Sequence, residues 1–431
     1  MSRLRQRALS CLVCAAAVCT SGALDRGLER PISVGGAGLE APFYTRGLGV
    51  TLIPERPRPA LGAGSSSVAP GRSTPPPLAA EWVVAPPRGR SAPAVSGPSQ
   101  PAHVLWRFRS ASPVSGSPAV SSRGLVYVAS VEGYVHALGP DGHFRWSYGL
   151  RGIPLGAPAV DDAGGVYVAT SEGRLYALGA DGQLVWALGA FCRFASSPVW
   201  AEGSLHLVGR DHNLYSVPRA GGPPSRTYLG EPAGAELASV GAGLIALGTA
   251  RAALLYRRTI GVARLELGAP LSQPLLGGGE RWLAVTAEGV AAFDSTTHER
   301  LWSASARRVA LSADQHSLVV EADRELRWLS PRTGEVLGRA PLPGDVSAAP
   351  ALTNAGVALV PMVSGELWVV DPLAPSAASI GVGSAPLWAP VYDEASRRII
   401  VAAGGSVVAL ELGGGAEAWE PAGHADGEGG A

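Results

Sequence analysis

Residues 116–146 read GSPAVSSRGLVYVASVEGYVHALGPDGHFRW, and residues 156–186 read GAPAVDDAGGVYVATSEGRLYALGADGQLVW. Repetition at a fixed period limits a fold severely, because each copy is one supersecondary unit that buries its apolar faces only against its neighbours. The Pro of the SPAV motif stands at Pro118, Pro158, Pro198, Pro274, Pro350 and Pro390, in steps of 40, 40, 76, 76 and 40. Each double step holds one degenerate copy of about 38 residues, which brings the copies to eight. The hairpin-turn residues Gly133, Gly173, Asn213, Gly289, Gly365 and Gly405 keep the same steps. The two hidden copies fall near AELASVGAGLIALGTARAALLYR and RVALSADQHSLVVEADRELRWLS, which keep the strand rhythm and lose the Pro.

Within one copy, LVYVAS and YVHALG are short β-rich runs separated by a turn ending in Gly133, and PDG opens the next turn before HFRW. With the SPAV run this makes four strands, and four-stranded units repeated every forty or so residues build a β-propeller. The expected fold is therefore all-β, an eight-bladed propeller of four-stranded antiparallel blades, with seven blades as the alternative count. The inner strands are almost continuously apolar rather than alternating, as expected of sheets covered on both faces. Helical periodicity is sustained nowhere.

The flanks read differently. Residues 1–23, MSRLRQRALSCLVCAAAVCTSGA, have a basic start, an apolar run too short to span a bilayer and a small-residue end, the layout of a secretory signal peptide. Cys19 is a candidate for lipidation, although Val18 before it is bulkier than the residue a bacterial lipobox places there; soluble export is the preferred reading. Residues 24–102 are dense in Pro, Gly, Ser and Ala, too poor in apolar surface to offset chain entropy, and are expected to form a disordered tether. Trp82, Val83 and Val84 are its one concentrated apolar spot. The propeller is expected over 103–420, with a disordered tail at 421–431.

Charge and chemistry narrow the function. Lys is absent, Arg supplies every side-chain cation except His, and no basic stripe points to nucleic acid. Once the first 23 residues are removed only Cys192 remains, so no intramolecular disulfide forms. Cys192 reads as a small buried residue, with His206 and His212 its nearest histidines in sequence. Asp141 and Asp181 occupy equivalent DG positions, and Glu132 and Glu172 equivalent EG positions, where hairpin chemistry alone accounts for them. Asp161 and Asp162 form an acidic pair where the first copy has Ser121 and Ser122, and read as a solvated turn. His136 replaces Tyr176 of the next copy and reads as a half-buried strand residue.

The pattern SPAV…VYVAS.EG.VHAL.PDG…W resembles the pyrroloquinoline quinone (PQQ)-type propeller repeat, whose copies end in a Trp that docks one blade on the next. Trp146, Trp186, Trp302 and Trp419 match that position, and Trp106 stands one period before Trp146. Trp106 and Trp419 then compete for one closing strand; residues 103–109 are expected to pair with the last blade and close the ring, removing exposed edges. The resemblance covers about 103–420 and is weakest in the fourth and sixth copies.

Two groups share this repeat. One resembles quinoprotein dehydrogenases, which hold PQQ beside Ca²⁺ and often carry adjacent cysteines; this chain has no adjacent pair of cysteines, and its acids lie mostly at turns. The other resembles BamB-like lipoproteins, propellers that bind no quinone and act as scaffolds in outer-membrane protein assembly. The reading is of a non-enzymatic, monomeric, exported scaffold in the periplasm, at the outer membrane or secreted. It presents loops or its central funnel to an envelope protein, with no cofactor, no metal and no catalytic residue. Membrane contact would come only through Cys19. Arg193, Arg210 and Arg251 lie on or beside connecting segments. A divergent PQQ- and Ca²⁺-dependent oxidoreductase is the alternative, and a small-ligand sensor a third reading.

Overall fold

A computed structural model of the chain describes residues 82–84, 102–189, 192–241, 243–372, 377–383 and 388–412. Among these residues there is no helix, and the strands form eight sheets, one per blade. Blade 1 consists of Ala119–Val120, Val126–Ser130, Tyr134–Leu138 and Phe144–Gly149, hydrogen-bonded in that order as an antiparallel meander. Blades 2 to 7 repeat this order, and outside blade 5 the first strands of neighbouring blades touch, so these strands line the axis. The degenerate copies are complete blades. Blade 4 runs from Ala233–Ser239 to Ile260–Glu266, and blade 6 from Arg308–Leu311 to Val336–Pro341.

Blade 8 takes strands from both ends of the propeller. Val391–Asp393, Arg398–Ala403 and Ser406–Leu412 are joined by Ala102–Arg109, with Trp106 opposite Ala409 and Phe108 opposite Val407. Trp106 thus holds the closing position, and Trp419 lies outside the described residues. The tether expected over 24–102 is corrected at two places: Ala102 opens the closing strand, and Trp82–Val84 adds a fifth strand to its outer edge, with Val83 opposite Arg107. Residues 1–23 with Cys19, the rest of the tether and the tail at 421–431 lie outside the described residues.

The apolar interior is divided into eight wedges, each between two consecutive sheets. In the second strand of blade 1, Val126 and Val128 face blade 8 while Tyr127 faces blade 2. Side chains alternate as in any strand, but both faces are covered, which is why the sequence shows a continuous apolar run.

Candidate functional site: blade seams and the connecting-loop face

Most seams are built on an indole contact, repeated in register in four of them. In blade 1, Trp146 lies opposite Ala137, immediately after a register shift in the outer strand. Its Nε1 donates to the Ala180 carbonyl of blade 2 at 2.8 Å. Beneath the ring, Gly182 has φ 81°, and a Cβ there would stand 2.5 Å from the indole. Glycine is required twice over, for its left-handed backbone and for the space. Trp106 donates to Pro140, Trp186 to Arg219 and Trp302 to Pro331, at 3.1, 2.9 and 3.1 Å. The glycines beneath these rings are Gly142, Gly221 and Gly334.

In blades 4 and 6 the residues after the same register shift are Ala263 and Gly338. The indole comes from elsewhere. Trp282, on the second strand of blade 5, fills the wedge against blade 4 and stacks on His298 at 5.6 Å. Trp328, directly opposite Gly338, donates to the Gly356 carbonyl of blade 7 at 2.8 Å. At the seam between blades 3 and 4 the Thr227 hydroxyl donates to the Thr259 carbonyl in the same kind of turn. Sequence reasoning missed these three because they leave the repeat register; a Trp count per copy would have flagged the first two.

The hairpin residues Gly133, Gly173, Gly289 and Gly365 all have positive φ. At Asn213 and Gly405 the left-handed residue is the preceding one, His212 at 61° and Gly404 at 58°. Gly405 instead lies where the chain entering blade 1 passes closely, with Ser110 donating its N–H to the Gly405 carbonyl at 2.7 Å.

The acids are placed by turns and seams. Asp141 and Asp181 accept from the N–H of His143 and Gln183, closing equivalent turns. The acidic pair is corrected: Asp162 is exposed, but Asp161 is buried. Its Oδ1 accepts from the N–H groups of Ala163 and Gly165, and its Oδ2 from the Tyr167 hydroxyl at 2.8 Å and the Arg219 guanidinium at 2.9 Å. Arg219, in blade 3, is held twice by blade 2, through this ion pair and through the bond from Trp186 to its carbonyl. Burial and the Asp161 contact raise the Tyr167 phenol well above its usual range. This carboxylate already has a cation and three donors around it, which does not fit a Ca²⁺ ligand set. Among the described residues no three of His, Cys, Asp and Glu are grouped to hold a metal.

Burial likewise governs Cys192 and the two strand histidines. Cys192 lies in the wedge between blades 2 and 3, and burial pushes its thiol up to about 11, far from thiolate reactivity. Beside it the Tyr215 hydroxyl donates to the Asp211 carboxylate. His206 is on the second strand of blade 3, whose Leu205 and Leu207 face Cys192's wedge; alternation turns His206 to the opposite face. The two do not form a dyad. His136 and His206 are buried, and burial lowers both to about 4. His136 packs on Phe108 of blade 8 at 5.7 Å, and its Nδ1 has no partner.

What the ring offers outward is the face carrying the hairpins between second and third strands and the links between blades. Arg193, Arg210 and Arg251 are all exposed there, in blades 3 and 4, with the Arg210 N–H donating to the Arg193 carbonyl. The nearby acids are engaged: Asp211 by Tyr215, and Glu231 and Glu266 by Arg264. The same face exposes Val131, Ile153 and Val363.

Among solved structures, BamB from Moraxella catarrhalis is similar at 14% identity and a TM-score of 0.60, covering 72% of this chain and all of that one. Quinohemoprotein alcohol dehydrogenase from Comamonas testosteroni is similar at 12% identity and 0.59, covering 74% of this chain and 78% of that one. A europium-containing methanol dehydrogenase is similar at 10% and 0.58, covering 72% and 93%. At these identities the likeness is one of fold, shared by BamB and the dehydrogenases alike. No curated protein matches the sequence. A family model described as outer membrane protein assembly factor BamB matches residues 99–222, 154–256 and 262–430, nearly the whole ring, and the chain belongs to that family.

Proposed function

We propose that this propeller is an exported, non-catalytic scaffold of the cell envelope that presents its connecting-loop face to a protein partner. The observation that carries the reading is the contrast between inside and face. The buried carboxylate of Asp161 and the clustered Cys192, Tyr215 and Asp211 are spent on holding blades together, whereas Arg193, Arg210 and Arg251 stand exposed among acids whose side chains other residues already engage. Exposed cations with a few apolar neighbours steer and anchor a protein partner without any reacting group. Membership of the BamB family supports the same reading.

The test is photo-crosslinking in the native envelope from position 250, exposed beside Arg251, with identification of what is captured. One specific envelope protein is expected, lost when all three arginines become Glu. Mixing purified protein with pyrroloquinoline quinone and Ca²⁺ examines the enzyme alternative, and a saturable rise in melting temperature would overturn the scaffold reading.

A further inference from the structure

Between blades 4 and 5 an open groove of about 280 Å³ runs along the blade 5 sheet, at the seam where Ala263 stands in the usual place of a Trp. Its floor is small and apolar, with Ala284 and Ala291 on adjacent strands and Phe293 at the lower end. The register fixes its polarity. Val290 lies opposite Ala304 near the hairpin of Glu288, and Phe293 lies opposite Arg300 near the far turn. At about 3.3 Å per residue the Arg300 end and the Glu288 end are about 13 Å apart. Glu266, at the end of the blade 4 outer strand, adds a second carboxylate to the Glu288 end, partly engaged by Arg264. Arg300 and Glu288 are exposed, and neither side chain has a hydrogen-bond or ionic partner among the described residues.

We propose that this groove binds a short peptide with free ends and small side chains, its ammonium at Glu288 and Glu266 and its carboxylate at Arg300. Three extended residues span about 10–11 Å, which leaves each charged end within hydrogen-bonding reach of its counterpart. Guanidinium is the side chain suited to a bidentate carboxylate contact. The alanines of the floor make the space, and its volume of about 280 Å³ suits small side chains rather than large ones. The Glu288 end of the groove adjoins the connecting-loop face at Arg251, whose carbonyl accepts from the N–H of Leu267.

The experiment is calorimetric titration of the full chain with trialanine, N-acetyl-trialanine and trialanine amide. Saturable binding of trialanine is expected, weakened about tenfold or more by blocking either end. Arg300→Gln should bind the acid and the amide alike, and the double variant Glu266→Gln with Glu288→Gln should bind the free and acetylated forms alike. Ala291→Leu, which fills the floor, should abolish binding with the melting temperature retained. Equal binding of the three peptides, absence of saturable binding, or an Arg300→Gln variant that still prefers the free carboxylate would each overturn the proposal.

Discussion

Trp146 and Gly182 act as one unit although they belong to different blades, since the indole needs both the carbonyl of Ala180 and the bare Cα beneath it. Trp146→Ala should destabilise by about 3–5 kcal/mol, and Gly182→Ala by about 2 kcal/mol or more through strain and displacement of the ring. In a urea-denaturation cycle the double variant should fall well short of the sum, because the methyl no longer clashes once the ring is gone. The buried histidines set a pH dependence. With His136 and His206 lowered from 6.5 to about 4 in the fold, the unfolded chain binds more protons between those values. Stability is therefore unaffected above about pH 6.5 and declines as pH falls towards about 4. His136→Tyr, which installs the residue blade 2 carries at Tyr176, combined with His206→Leu, should flatten that slope in melting curves taken across the window. Glycines such as Gly182 were legible from the repeat itself. Asp161 was not: its neighbour Asp162 is solvated, and its cation, Arg219, comes from another blade at a distance no local pattern reports.

At the scale of the element, a degenerate blade keeps its strands and relocates its seam. Blade 4 has lost its docking Trp to Ala263, and blade 5 returns an indole through Trp282, which comes from a different strand. Trp282→Ala should cost about 3–5 kcal/mol, as a buried indole removed from a core does. Adding Ala263→Trp to that variant should recover part of the loss, because it restores the arrangement of blades 1, 2 and 5. Denaturant titration of the four chains checks this, and an additive result would mean that the two positions fill different spaces. Strand existence was readable here because period-two burial on two covered faces gives an unbroken apolar run whatever the motif residues are. Seam chemistry was unreadable for the same reason: any large side chain that reaches the wedge serves, so the register position stops being informative.

Across the whole molecule the ring is closed by Ala102–Arg109 on Ser406–Leu412 and further tied by Trp388 to the Val114 carbonyl and Arg398 to the Pro140 carbonyl. A chain that begins at Ser110 leaves the strand Ser406–Leu412 as a bare edge and should associate in a concentration-dependent way, seen by sedimentation velocity. A monomer of unchanged melting temperature would contradict this. The number of blades and the need for closure were legible from the period. The choice between Trp106 and Trp419 required the register. Closure across the full length also imposes an order in time. The strand holding Trp106 emerges from the ribosome early and waits for its partner through roughly 300 further residues, on the order of 15–60 s at typical rates of synthesis. Throughout that interval its edge lies open, so a nascent chain of this design needs a holding factor more than a faster-closing fold would.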